Sequence, residues 1–172
     1  KGVRYLLEAL PKVIQAHPDV HLTIAGFGPE ESALHRQAES LGIDERIHFL
    51  GAVPQEQLPD LYRRAALFVA PFVEAASGDQ EGLGLVTVEA IGCGCPVVVS
   101  DLPATRDVVA DPSRQARPGN SADLAEKIIR LFNTSLTNRK SVDDELRRRV
   151  FNRFDWTYVA AAYGGTLNKV IQ

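Results

Sequence analysis

Apolar positions along the chain recur in two periods. Val3, Leu6, Leu7, Leu10, Val13 and Ile14 fall three and four apart, which predicts an amphipathic helix over 3–16, kinked or interrupted at Pro11. Val20 to Ala25 instead alternates and predicts a strand that ends at Gly26-Phe27-Gly28-Pro29. Pro29, with its fixed φ, and the acids Glu30 and Glu31 suit the first turn of a helix running to about Leu41. Ile47–Leu50 is a short strand stopped by Gly51, Gln55–Ala65 a helix, and Leu67–Ala70 an apolar strand stopped by Pro71. A polar loop over 73–81 leads into a helix from about Gly84 to Gly92, followed by the strand Pro96–Ser100. Asp101 closes that strand and is expected to cap a short helix near 105–109, with contact to a ligand as the alternative. A weak strand at 115–117, a helix from the cap Ser121 to Phe132, and helices near 141–152 and 157–171 complete the pattern. His48 and Trp156 are expected to be packing residues.

Strands of this length separated by amphipathic helices predict right-handed βαβ crossovers, hence an α/β fold: a Rossmann-like parallel sheet flanked by helices on both faces. In such sheets ligands bind beyond the carboxyl ends of the strands, which directs attention to loops 26–29, 51–54, 71–84 and 100–105.

Composition narrows the function. With 172 residues, 45% hydrophobic and 24% charged, the chain is sized for one globular domain spanning 1–172. A net charge of −3 gives no basic footprint for nucleic acid, and Arg147-Arg148-Arg149 reads as a solvated helix face. Apolar runs are strand-sized, far short of a membrane span. Cys93 and Cys95 are too close along the chain to staple a fold, and the four histidines lack zinc spacing, which favours a reducing, cytoplasmic setting and no metal. Opening on Lys1-Gly2 with no initiator Met, the sequence is expected to be part of something longer.

The segment richest in chemistry is Glu81-Gly82-Leu83-Gly84-Leu85-Val86-Thr87-Val88-Glu89-Ala90, between a predicted strand and a helix. Gly82 and Gly84 let backbone N–H groups approach a ligand closely, and the helix start aims its positive end at the same point, so an anion such as a phosphate is expected there. Glu89, about five residues into the helix, lies roughly 7 Å along the axis, a suitable offset from a phosphate to the vicinal hydroxyls of a sugar. Glu81, in the preceding loop, would meet hydroxyls or developing positive charge beyond the phosphate. Gly26-x-Gly28 lacks the third glycine of a dinucleotide fingerprint, and Glu30 and Glu31 would repel a diphosphate, so it is read as a tight turn lining the cleft.

These residues resemble the donor signature of the retaining nucleotide-sugar glycosyltransferases of family 4, group 1, two-domain enzymes of the GT-B type. The spacing of Glu81 and Glu89 around a glycine turn carries the resemblance, with Lys1-Gly2-Val3, Ala25 to Pro29, Leu50-Gly51, Gly94-Cys95-Pro96 and Phe154-Asp155-Trp156 as further landmarks. Leu83 stands where the family usually has Phe, and Phe72 where Ser is common. The resemblance implies that the chain is the C-terminal, donor-binding half of a GT-B enzyme, with 157–171 crossing toward an N-terminal acceptor-binding domain. It implies Glu81 and Lys1 as catalytic residues, the first at the donor sugar and the second at the diphosphate. It also implies Gly82, Leu83, Gly84 and Leu85 at the sugar and diphosphate, Glu89 at the ribose, Val53 at the nucleobase, and Gly26 and Gly28 along the cleft. The substrate would be a nucleoside-diphosphate sugar, transferred with retention and without a cofactor; on its own the chain would bind donor without transfer. A nucleotide-sugar epimerase of the same architecture and a non-catalytic nucleotide-sugar-binding module are the alternatives. Peripheral membrane association of the parent protein stays open.

Overall fold

A computed structural model describes residues 1–74, 84–134, 136–161 and 163. The chain alternates as expected, through α1 (Val3–Ala16), β1 (Leu22–Ala25), α2 (Glu31–Ser40), β2 (Ile47–Gly51), α3 (Leu58–Arg64) and β3 (Phe68–Ala70). It continues through α4 (Leu85–Gly92), β4 (Val97–Ser100), α5 (Pro103–Val109), β5 (Gln115–Ala116), α6 (Ser121–Asn133) and α7 (Leu136–Phe154).

All strand pairs are parallel, but their hydrogen bonds divide into a pair, β1-β2, and a triplet, β3-β4-β5. β4 is the central strand of the triplet, and its valines sort by the two-residue period of a pleated strand. Val98 joins α1, α6, β1 and β2 in one core, while Val97 and Val99 join α4, α5 and α7 in the other. All three are fully buried, each burial worth about 1.5–3 kcal/mol. Here helices do cover both faces. The β1-β2 pair differs: Leu22, Ile24, Ile47 and Phe49 turn to the core, whereas Thr23, Ala25, His48 and Leu50 are exposed. Helices flank the sheets as expected, but among the described residues covering on both faces holds for the triplet only. Thr23 and His48 put polar groups on that outer face, beside the exposed Ala25 and Leu50.

Local corrections follow chemistry that periodicity does not carry. α1 runs unbroken through Pro11, because Leu6, Leu7, Ala9, Leu10 and Val13 bury its apolar face on both sides of the proline. A 3-10 turn at Gln55–Gln57 precedes α3, shortening the expected helix, and α7 begins earlier than expected. The cap of α6 is Asn120 rather than Ser121, its side chain accepting from the N–H of Asp123 at 2.9 Å. Asp101 does not cap α5. It pairs with Arg106 at 2.7 Å, and Thr105 Oγ1 receives the N–H of Leu102 instead. His48 is exposed and stacks on His21, and Trp156 is 82% exposed, so neither is a core packing residue. Beyond α7, residues 156–161 are helical, with Asp155 accepting from the Thr157 N–H at 2.8 Å and held below the usual carboxylate range by the Thr157 hydroxyl and, after it, by that backbone N–H. The remainder of the expected 157–171 helix lies outside the described residues, except for 163. Among the described residues no helix is long and apolar enough to cross a membrane.

Candidate functional site

The carboxyl ends of β1, β2 and β3 each lead into a loop that holds sequence-selected residues. After β1, Gly26 takes a positive φ of 111° and donates its N–H to Gly51 O at 2.7 Å, which ties the exits of β1 and β2 together. Gly26 and Gly28 are exposed, and a Cβ built on either meets nothing within 4 Å among the described residues, which leaves space beside the turn. Beside this tie runs a groove lined by Leu50, Ala52, Val53, Pro54 and Leu61 together with Gln57, Asp60 and Arg64, in which Val53 is half-buried. An apolar wall with a few polar groups suits the face and edge of a flat ring.

The exit of β3 meets the start of the chain. Gly2, with φ 78°, packs so closely on the loop that an added Cβ would lie 2.0 Å from Pro71 O. That contact places Lys1 at the same strand end, its Nζ 5.4 Å from the ring centre of the buried Phe72. The ammonium therefore sits at the carboxyl edge of the sheet, where an anion would profit from it.

α4 opens on Gly84, which adopts a left-handed conformation (φ 63°, ψ 47°) and accepts the Thr87 N–H at 2.7 Å. The N–H groups of Leu85 and Val86 belong to the first turn, at the positive end of the helix, where backbone donors have no acceptor within the helix itself. Both side chains are exposed. Glu89 is the fifth residue of α4 and is half-buried. Its Oε2 accepts a hydrogen bond from Tyr62 Oη at 3.2 Å. Tyr62 comes from α3, is buried, and sets its ring edge-on to Phe68 with centroids 5.5 Å apart. Burial, reinforced by the Glu89 carboxylate, pushes the Tyr62 phenol well above its ordinary value near 10.

Lys1, Gly26, Gly28, Val53, Gly84, Leu85 and Glu89 are thus placed on strand exits or on the first turns of α4. Glu81, Gly82 and Leu83 lie outside the described residues. The sequence reading missed Tyr62: Leu58, Leu61 and Tyr62 show only helical spacing, and nothing along the chain pairs a tyrosine with a carboxylate 27 residues away. Cys95 lies in the core and Cys93 packs against it, as expected of small side chains. A second groove, between α5 and the end of α7, is lined by residues such as Asp107, Arg149, Arg153 and Phe154 and holds none of the candidate catalytic or donor-binding residues. Among the described residues no group of three or more His, Cys, Asp or Glu could hold a metal.

The glycine that starts α4 and the carboxylate on its second turn lie in an α/β domain with parallel strands, a class of fold in which ligands bind beyond the carboxyl ends of the strands. Residues 1–134 match the family described as glycosyl transferases group 1, and the chain belongs to that family. It is 34% identical over 163 residues to a phosphatidyl-myo-inositol mannosyltransferase of Mycobacterium leprae, covering 94% of this chain and 41% of the relative. It is 30% identical to a GDP-mannose-dependent monoacylated alpha-(1-6)-phosphatidylinositol monomannoside mannosyltransferase of Corynebacterium glutamicum, over 100% of this chain and 44% of that one. Among solved structures, Anabaena HepE in complex with UDP superposes with a TM-score of 0.83 at 26% identity, covering 98% of this chain and 45% of that one. The chain therefore spans about two fifths of the length of the curated relatives it matches. Its fold is that of one half of a GT-B glycosyltransferase, and the family favours a transferase over the epimerase and the non-catalytic module.

Proposed function

We propose that this chain is the donor-binding, C-terminal domain of a cytoplasmic retaining glycosyltransferase that moves a sugar from a nucleoside diphosphate to an acceptor held by a separate N-terminal domain. The observation that carries the reading is Glu89, half-buried on the second turn of α4, just behind the positive end of that helix. In this reading the amides near Gly84 and Leu85, with Gly82 and Leu83, receive the sugar and diphosphate, and Glu89 accepts the ribose hydroxyls. Val53 lies against the base, and Gly26 and Gly28 line the cleft. Lys1 meets the charge that grows on the diphosphate as the bond from the anomeric carbon to the phosphate oxygen breaks. Glu81 faces the donor sugar, and the acceptor oxygen enters on the face from which the diphosphate departs. The lysine and the helix start fill the role a metal takes elsewhere.

GDP-mannose is the first donor to test, because the mannosyltransferase names belong to the relatives of higher identity and one of them specifies it. UDP, carried by the Anabaena structure, is the second base to test. Glu89→Gln keeps shape but removes charge, so it is expected to weaken GDP binding by about 1–2 kcal/mol, roughly five- to thirtyfold, with little change in thermal stability. Glu81→Gln is expected to spare GDP and weaken GDP-mannose. Calorimetry of both variants against both ligands separates the roles. If both variants bind both ligands as the parent chain does, with UDP giving the same result, the paired-glutamate site is wrong.

A further inference from the structure

Glu89 has three rotatable side-chain torsions, and an unrestrained carboxylate on a half-exposed helix face would sample several of them. The fold restrains this one through a neighbour with little freedom of its own. Tyr62 is 8% exposed, its ring is set edge-on to Phe68, and its hydroxyl donates to Glu89 Oε2 at 3.2 Å. The phenol is a donor that stays protonated, since burial and the neighbouring carboxylate both oppose its ionisation. A neutral donor to a carboxylate holds it in place without cancelling its charge.

We propose that Tyr62 is a positioning residue for donor binding: its hydroxyl engages Oε2 of Glu89 and presents the other carboxylate oxygen, still charged, to the hydroxyls of the ligand. The inference rests on the assignment of Glu89 to the donor given above and adds to it a residue of α3. Tyr62 touches no ligand in this arrangement; it acts through Glu89 alone. The ordering entropy of the glutamate is then met during folding rather than at binding, which makes the carboxylate preorganised.

The test is a double-mutant cycle of Tyr62→Phe and Glu89→Ala in this chain, read by calorimetry with GDP and with UDP, alongside thermal unfolding. Tyr62→Phe keeps the ring and its contact with Phe68, so the variant is expected to fold and to bind the nucleotide about three- to tenfold more weakly. In the Glu89→Ala background the same change is expected to cost nothing further, because the group it positions has gone. A purely structural role would shift unfolding equally in both backgrounds and leave no coupling in affinity. If Glu89→Ala weakens binding while Tyr62→Phe leaves it unchanged, or if the two losses simply add, the positioning role is overturned and the donor assignment of Glu89 stands. If neither variant changes affinity, or the parent chain binds neither nucleotide, the assignment of Glu89 fails and the positioning role with it.

Discussion

Tyr62 links burial to alkaline stability as well as to the site. In the unfolded chain its phenol ionises near pH 10, whereas in the fold burial and Glu89 hold the proton on to higher pH. The folded state thus binds more protons above that value. The stabilisation is complete below about pH 10 and is lost as pH rises beyond it. The parent chain is expected to lose unfolding free energy between about pH 8 and pH 11, and Tyr62→Phe to lose less over the same window. Urea unfolding midpoints at both values check this, with the remaining tyrosines common to both proteins. A parent and variant that decline in parallel would mean that Tyr62 ionises as freely in the fold as in the open chain.

At the scale of elements, the start of α1 depends on its fit against the exit of β3. Gly2 holds φ at 78° with no room for a Cβ, which would overlap Pro71 O at 2.0 Å. Neither atom belongs to a flexible side-chain end, so relief requires the backbone to move. Gly2→Ala combines a left-handed backbone penalty with a backbone clash and is expected to cost more than about 2 kcal/mol, read as a fall in the urea midpoint. The same shift would displace Lys1, so nucleotide affinity is expected to fall with it. A Gly2→Ala chain as stable as the parent would show that the packing of α1 on the β3 exit is loose. α4 is held from behind in a comparable way: Leu146 and Val150 of α7 share a core with Ala90 and Ile91, and Arg147 Nε donates to Gly92 O at 3.0 Å. The helix that carries Glu89 is thus buttressed by an element from the end of the described chain.

At the scale of the whole molecule, Arg114 makes the most deeply buried ion pairs among the described residues. Its side chain is 4% exposed and its guanidinium pairs with Asp111 at 3.3 Å and with Asp143 of α7. The turn after α5 is thereby joined to α7, and through α7 to the site helix. Asp143→Ala would leave a buried cation with only one of its two carboxylates, so a loss of about 2 kcal/mol is expected, less than for a pair broken outright. Lys12→Ala, which removes the exposed Lys12–Glu126 pair at 3.5 Å, is expected to change stability by under about 0.5 kcal/mol. Thermal unfolding of the two variants compares them directly. Equal effects would remove the distinction between the buried network and the surface pair.

What the chain's linear pattern determined is the succession of helices and strands, the parallel α/β class and the placing of Glu89 within a helix that starts at a glycine. Each depends on periodicity and on local backbone preference, which act over a few residues and are written in neighbouring positions. Leu22, Ile24, Ile47 and Phe49 even show which face of β1 and β2 turns inward. The tertiary structure alone decided the division of the ladder, the continuation of α1 through Pro11, and the exposure of Trp156, because these follow from what packs against each element. It likewise decided that Asp101 pairs with Arg106 while Thr105 serves the helix start, a competition between two acceptors of similar reach. The contact of Tyr62 with Glu89 belongs to the same class. It joins side chains 27 positions apart, and no period along the chain encodes it, because only the packing of α3 against α4 brings the two groups within a hydrogen bond.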